Sequence, residues 1–194
     1  LYKLKYLKKI LKNENVRIDA NCGLKYSNFK STLEYLKKID IESIEQPFKP
    51  LMKSNESGYK LAQKYGIDII LDESICELKD LEKLGKQGNI VNIRATKVGG
   101  VMSSIYIYRY AVQNRFKVIL GCLVGENILT RTNLTLSQNF KTLHNEGNYD
   151  KFLLETPIII NPAFEDNGIF RKNKIKLNYK TKINSNLNDV KINK

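Results

Sequence analysis

Six charged residues, Asp19, Glu45, Asp72, Lys97, Glu126 and Glu155, each stand at or just past the end of a short apolar stretch, at intervals of 26, 27, 25, 29 and 29 residues. Helical patterning fills the gaps between those stretches. Strands that alternate with helical segments of about ten to fifteen residues predict βαβ units and a parallel sheet. A charged group at every strand end narrows this to a (β/α) barrel of the TIM type, because all its strands open C-terminally into one mouth. A doubly wound sheet concentrates its site at one switch point and has no need of charges on six successive strands. Neither GxGxxG nor GxxxxGK[ST] occurs to mark a nucleotide site.

The expected elements follow in order. Tyr2, Leu4, Tyr6, Leu7, Ile10 and Leu11 make a helical stripe over 2–12, and VRIDAN (16–21) is the first strand. Ser27 stands where it could cap a helix over 28–38, with Phe29, Leu33 and Leu36 at helical spacing. IESIEQP (41–47), closed by Pro47, a helix around 54–65 and IDIILDES (67–74) come next. A helix over 78–86 leads to NIVNIRATK (89–97). SSIYIYRYAVQN (103–114) is assigned as helix despite its isoleucines and tyrosines, because it lies between two stronger strands. FKVILGCLVGE (116–126), a helix over 127–141 and the strand KFLLE (151–155) complete the run.

Six strands do not close a barrel that normally takes eight. Residues 1–160 are therefore expected to be strands three to eight, with 161–194 as a tail that adds an edge strand or hairpin. The first residue is Leu1, which fits a start inside a longer product. An upstream segment, or association of copies, is expected to complete the array.

Composition removes several function classes. Net charge is +13, but lysine is spread along the whole chain without an arginine-rich block or an RNP-like aromatic cluster, so no specific nucleic-acid partner is expected. No apolar run approaches membrane-spanning length, and the charged N-terminus lacks the apolar core of a signal peptide. Three widely spaced cysteines, Cys22, Cys76 and Cys122, fit a reducing compartment, and the expected location is the cytoplasm. With His144 as the single histidine, zinc is not expected.

Asp19, Glu45 and Asp72 end three consecutive strands. Neighbouring strands lie about 5 Å apart, so the three carboxylates fall in one small volume and repel unless a cation shares them. A hard divalent ion with oxygen ligands fits, and Mg²⁺ leaves positions for water and substrate oxygens. The plainer alternative is three acidic loop residues or helix caps. Asn21, Gln46 and Glu73 stand beside these acids as supporting groups. Arg94 stays protonated and suits a carboxylate clamp, whereas Lys97 can titrate when buried or beside a cation. Strict alternation puts these two on opposite faces, and Lys97 could simply balance nearby acids.

RIDAN, IEQP, LDES, NIRATKVGG and GCLVGEN, in that order, resemble the enolase superfamily, and within it the mandelate racemase and muconate-lactonizing branch that includes dipeptide epimerases. The resemblance extends to about residue 160. It implies a (β/α)₇β barrel with Mg²⁺ held by Asp19, Glu45 and Asp72. It further implies an enzyme that abstracts the proton α to the carboxylate of a small-molecule substrate, with metal stabilisation of the enediolate. Racemisation or epimerisation is the expected outcome; elimination by a dehydratase and cycloisomerisation are alternatives within the superfamily, and a non-catalytic metal-binding remnant is another. Two departures stand out. The KxK motif of the branch, which should lie some thirty residues before Asp19, is absent from this sequence, and Arg94 stands where relatives carry the reactive lysine. Glu126 matches a glutamate that orients the lysine or contacts substrate. His144 is expected at the surface, away from the mouth.

Overall fold

The computed structural model describes residues 2–11, 15–50, 55–123 and 127–146, together with short strands at 159–160, 164–166, 169–171 and 176–177. In chain order these form α1 (Tyr2–Ile10), β1 (Arg17–Asp19), α2 (Tyr26–Lys38), β2 (Ser43–Glu45), α3 (Asn55–Lys64), β3 (Asp68–Leu71), α4 (Leu78–Leu84), β4 (Ile90–Ile93), α5 (Val101–Gln113), β5 (Lys117–Leu120) and α6 (Asn127–Ser137). β1 to β5 form one parallel sheet in sequence order, with Asp19 opposite Glu45, Glu45 opposite Ile70, and Ile93 opposite Leu120. Consecutive order with a helix after each strand is the arrangement of a barrel wall, and it bears out the expected parallel α/β architecture, present in part.

Burial on both faces explains the continuous apolar runs of these strands. Ile44, Ile69, Leu71, Val91, Ile93, Val118 and Leu120 join the helices in the main core, against Phe29, Leu33 and Leu36 of α2 and Ile107 and Ala111 of α5. Ile70, Ile90 and Ile119 form a separate cluster, since alternation turns them to the other face. On that second face Glu45 and Asn92 are the alternating partners of Ile44, Val91 and Ile93. The apolar interior thus gives way to a polar layer towards the strand ends.

Three expectations need correction or delimitation. Ser27 does not cap α2; the capping position is Lys25, without a side-chain hydrogen bond, and the helix begins at Tyr26. β4 stops at Ile93 and the chain then turns, with Lys97 and Val98 donating their amides to Arg94 O and Gly100 donating to Ala95 O. The expected strand at 151–155 and its Glu155 lie outside the described residues. Backbone at 143–146 lies beside β5, where Leu143 N donates to Val118 O at 2.8 Å and Glu146 N to Leu120 O at 2.8 Å. Leu120 and Asn145 form a parallel bridge. In the tail, β6 (Ile159–Ile160) pairs with β9 (Lys176–Leu177), and β7 (Phe164–Asp166) with β8 (Ile169–Arg171), both antiparallel.

The 143–146 segment also reaches β1 through side chains, for Arg17 contacts both His144 and Glu146. Beneath this contact, at the N-terminal strand ends, a cavity of about 440 Å³ is lined by Arg17, Ser43, Asp68, Ile90, Lys117 and His144 among others. His144 is exposed and lines this N-terminal end of the array. No helix among the described residues is long and apolar enough to cross a membrane.

Candidate active site at the strand ends

Gln46 joins two of the strand ends. It sits at φ +34°, in the left-handed region that most side chains avoid. Its buried amide satisfies four partners: Oε1 accepts from Asp72 N at 3.0 Å and Ser74 N at 3.1 Å, while Nε2 donates to Phe48 O and Ser74 Oγ, both at 2.7 Å. Those bonds fix the backbone from which Asp72 projects.

Asp72 is the centre of the arrangement, and its side chain is fully buried. Lys97 Nζ donates to Asp72 Oδ1 at 2.6 Å, to Asp72 O at 2.5 Å and to Asn92 O at 3.3 Å. The Arg94 guanidinium pairs with Asp72 Oδ2 and stands 4.0 Å from Glu45 Oε1. Strict alternation put Arg94 and Lys97 on opposite faces. Both reach one carboxylate because the strand has ended and the 94–100 turn folds Lys97 back over it. Glu45 accepts from Asn92 Nδ2 at 2.6 Å and lies 3.7 Å from Arg17. Gly121 makes room for the cluster: a Cβ there would lie 2.8 Å from Arg94 Cγ.

Electrostatics at this end follow from burial. Burial pushes the Glu45 carboxyl above its ordinary value, and the charges of Asp19 and Asp72 add to it, against the Asn92 hydrogen bond and Arg17. Burial likewise lowers the Lys97 ammonium, opposed by Asp72 and assisted by the neighbouring Arg94. Burial raises the Cys22 thiol, with Glu73, Asp19 and Asp72 reinforcing it. The negative field of three acids thus overlaps on one region.

A pH dependence follows from Glu45. Its folded-state value lies above the unfolded one, so its contribution to stability is full below the ordinary carboxylate value and is lost as pH rises through the raised value. Glu45→Gln keeps the contact to Asn92 without a buried charge. In metal-free buffer the variant is expected to melt higher than the parent at neutral pH, with the gap closing under acid. Thermal denaturation across pH checks this; a parent that stays the more stable at neutral pH would contradict it.

Of the residues singled out in the sequence, Glu45, Asp72, Arg94, Lys97 and Gln46 come together. Asp19 stays exposed, accepting from Asn21 N at 2.8 Å, with Asn21 at φ +42°. Glu73 keeps a buried, unpartnered Oε2. Glu126 lies outside the described residues. Three participants escaped the sequence reading: Asn92, Arg17 and Glu146. Asn92 left a trace, as the one polar residue inside Ile90–Ile93. Glu146 left none, since its role depends on Arg17, 129 residues away. Its carboxylate also accepts from Cys122 N at 3.3 Å.

Glu45 and Asp72 offer the carboxylate oxygens that a hard divalent cation prefers. Among the described residues, however, no three His, Cys, Asp or Glu side chains gather closely enough to hold a metal, and Asp19 is turned to its own loop, where Asn21 N donates to it.

Comparison with known proteins supports the fold. The model of the "Enolase C-terminal domain-like" family matches residues 3–173. The chain is 31% identical over 113 residues to an L-Ala-D/L-amino acid epimerase of Maribacter sp., covering 58% of this chain and 33% of that one. It is 29% identical over 153 residues to an o-succinylbenzoate synthase of Listeria innocua, covering 77% of this chain and 40% of that one. A mandelate racemase/muconate lactonizing protein from Herpetosiphon aurantiacus superposes with a TM-score of 0.79 at 16% identity, covering 91% of this chain and 52% of that one. That likeness shows the fold. The chain spans about a third of the length of the curated epimerase and half that of the solved structure.

Proposed function

The chain belongs to the enolase C-terminal domain-like family, and from that premise we propose that it is the barrel portion of a Mg²⁺-dependent enzyme. The reaction is removal of the proton α to a substrate carboxylate, leading to epimerisation of a dipeptide that begins with L-Ala. The gathering of Asp72, Glu45, Arg94 and Lys97 at adjacent strand ends carries this reading. The activity of the Maribacter relative supports the substrate class.

Asp19, Glu45 and Asp72 would hold the metal, which when bound supplies positive charge over the substrate carboxylate and so acidifies the α-carbon. Arg94 holds a second positive charge against that carboxylate. Lys97, with an ammonium made less basic by burial and by Arg94, takes the α proton on Nζ in its neutral form. Asn92 orients Glu45, and Gln46 fixes the backbone beneath Asp72.

Calorimetric titration with MgCl₂ tests the metal assignment. Saturable binding to the parent that disappears in Asp72→Asn is expected; equal affinity in both would overturn it. A second reading keeps this first step and ends in a different product, as the longer match to an o-succinylbenzoate synthase suggests. Product analysis by chiral chromatography separates the two: inverted configuration supports epimerisation, and an unsaturated product supports elimination.

A further inference from the structure

We propose that Leu123 and Val101 form an apolar wall on the β4–β5 side of the strand-end mouth, and that this wall seats an apolar side chain on the dipeptide residue that loses its α proton. The wall belongs to the reaction proposed above, on which it rests, and it names the class of side chain at the reacting carbon.

The inward row of β5 leads to Leu123. Ile119 is buried in the inner cluster with Ile70 and Ile90. Gly121, two residues on, continues the pairing with β4, its amide donating to Ile93 O at 3.0 Å. A Cβ on Gly121 would lie 2.8 Å from Arg94 Cγ, so this row runs directly past Arg94. Leu123 is the next residue in the row, and strand spacing and rise place it about 8 Å from Arg94, within reach of one substrate residue. Cys122 beside it is buried, whereas Leu123 is 43% exposed.

Val101 supplies the second side. It lies three residues before Ser104, on the face of α5 that buries Ser104, Ile107 and Ala111. That face packs on the sheet, but the first turn of α5 follows the end of β4 at Ile93 and its glycine turn, and there Val101 is 45% exposed. The space beside it is open, since a Cβ on Gly100 would meet no atom within 4 Å. Leucine and valine held open to water gain from being covered by hydrocarbon.

Charge points to the same occupant. Asp19 is exposed at the end of β1, and Glu73 keeps a buried, unpartnered Oε2 after β3. An acidic substrate side chain is repelled from that side of the mouth. In the proposed reaction Arg94 serves the substrate carboxylate and Lys97 the proton, so neither is left for a second acid. Lys49 stands in the loop after β2, away from Leu123 and Val101 in the order of the sheet.

The test is deuterium incorporation in D₂O and MgCl₂ by the 194-residue chain, comparing L-Ala-L-Leu, L-Ala-L-Glu and L-Ala-L-Lys in the parent and in Leu123→Asp. The parent is expected to favour L-Ala-L-Leu in kcat/KM. Leu123→Asp is expected to lower kcat/KM for L-Ala-L-Leu by about 10–200-fold, the usual worth of an apolar pocket contact, through a raised KM, and to shift preference to L-Ala-L-Lys. If circular dichroism shows that Leu123→Asp does not fold, Leu123→Ser takes its place. A parent that favours L-Ala-L-Glu, or a variant that keeps the parent's Leu-to-Glu ratio to within about twofold, would overturn the wall and leave the reaction standing. Exchange with none of the three dipeptides would remove the reaction reading, and saturation-transfer NMR of the same dipeptides then decides the wall alone. Contact to the leucine methyls in the parent that is lost in the variant supports it; no such contact in the parent overturns it.

Discussion

On the proposed reaction, Lys97→Met is expected to lower deuterium incorporation at the α-carbon of an L-Ala-L-amino acid dipeptide by about 10²–10⁴-fold, the usual contribution of a positioned general base. The expectation rests on where Lys97 lies and on what surrounds it. Its ammonium is mostly buried and stands beside a guanidinium, so the neutral form is more accessible than on a surface lysine. Arg94 is within the same cluster but cannot substitute, because a guanidinium does not release its proton in this range. Lys97→Arg should therefore fail to rescue exchange, although it keeps the charge. Exchange retained to within a few-fold would assign the proton transfer elsewhere.

Phe48→Ala destabilises the chain by about 3–5 kcal/mol, the range for truncating a buried phenylalanine. Phe48 is 2% exposed and packs edge-on against Phe29 with ring centroids 4.6 Å apart, and against Tyr59 at 6.0 Å and Tyr26 at 6.2 Å. Gly58 closes the fourth side, where a Cβ would come within 2.9 Å of Phe48 Cζ. Alanine leaves a void among α2, α3 and the loop after β2, and none of the rigid rings around it can collapse into the space. At about 2–4 °C per kcal/mol for a chain of this size, Tm should fall by roughly 6–20 °C. Urea denaturation checks the value through a lower midpoint at unchanged slope. A loss under about 1 kcal/mol would mean that the aromatic cluster is more loosely packed than described. The same residue connects stability to the site, because its carbonyl accepts from Gln46, the side chain that fixes the backbone of Asp72.

The strand–helix alternation was legible because β-branched runs and helical stripes are local signals, and the spacing of Asp19, Glu45 and Asp72 pointed to one end of the sheet. Lys97 shows where local reading stops. Alternation is a rule for strands, and Lys97 lies four residues past the last strand residue of β4, Ile93, in a turn whose direction depends on Gly99 and Gly100. Ser27 shows a second limit: a good capping residue one position inside the helix caps nothing. The segment at 143–146 illustrates a third. TLHNEG has no β-branched run, so only its hydrogen bonds to β5 and the reach of Arg17 from β1 place it in the array. Asp19 stands in the expected register opposite Glu45 but turns its carboxylate to its own loop.

The most direct test of the central claim is proton NMR of an L-Ala-L-amino acid dipeptide incubated with the chain in D₂O and MgCl₂. Progressive loss of the α-proton signal, arrested by chelation of the metal, is the predicted result. An α-proton that persists at Mg²⁺ concentrations where calorimetry shows the chain saturated would contradict the account.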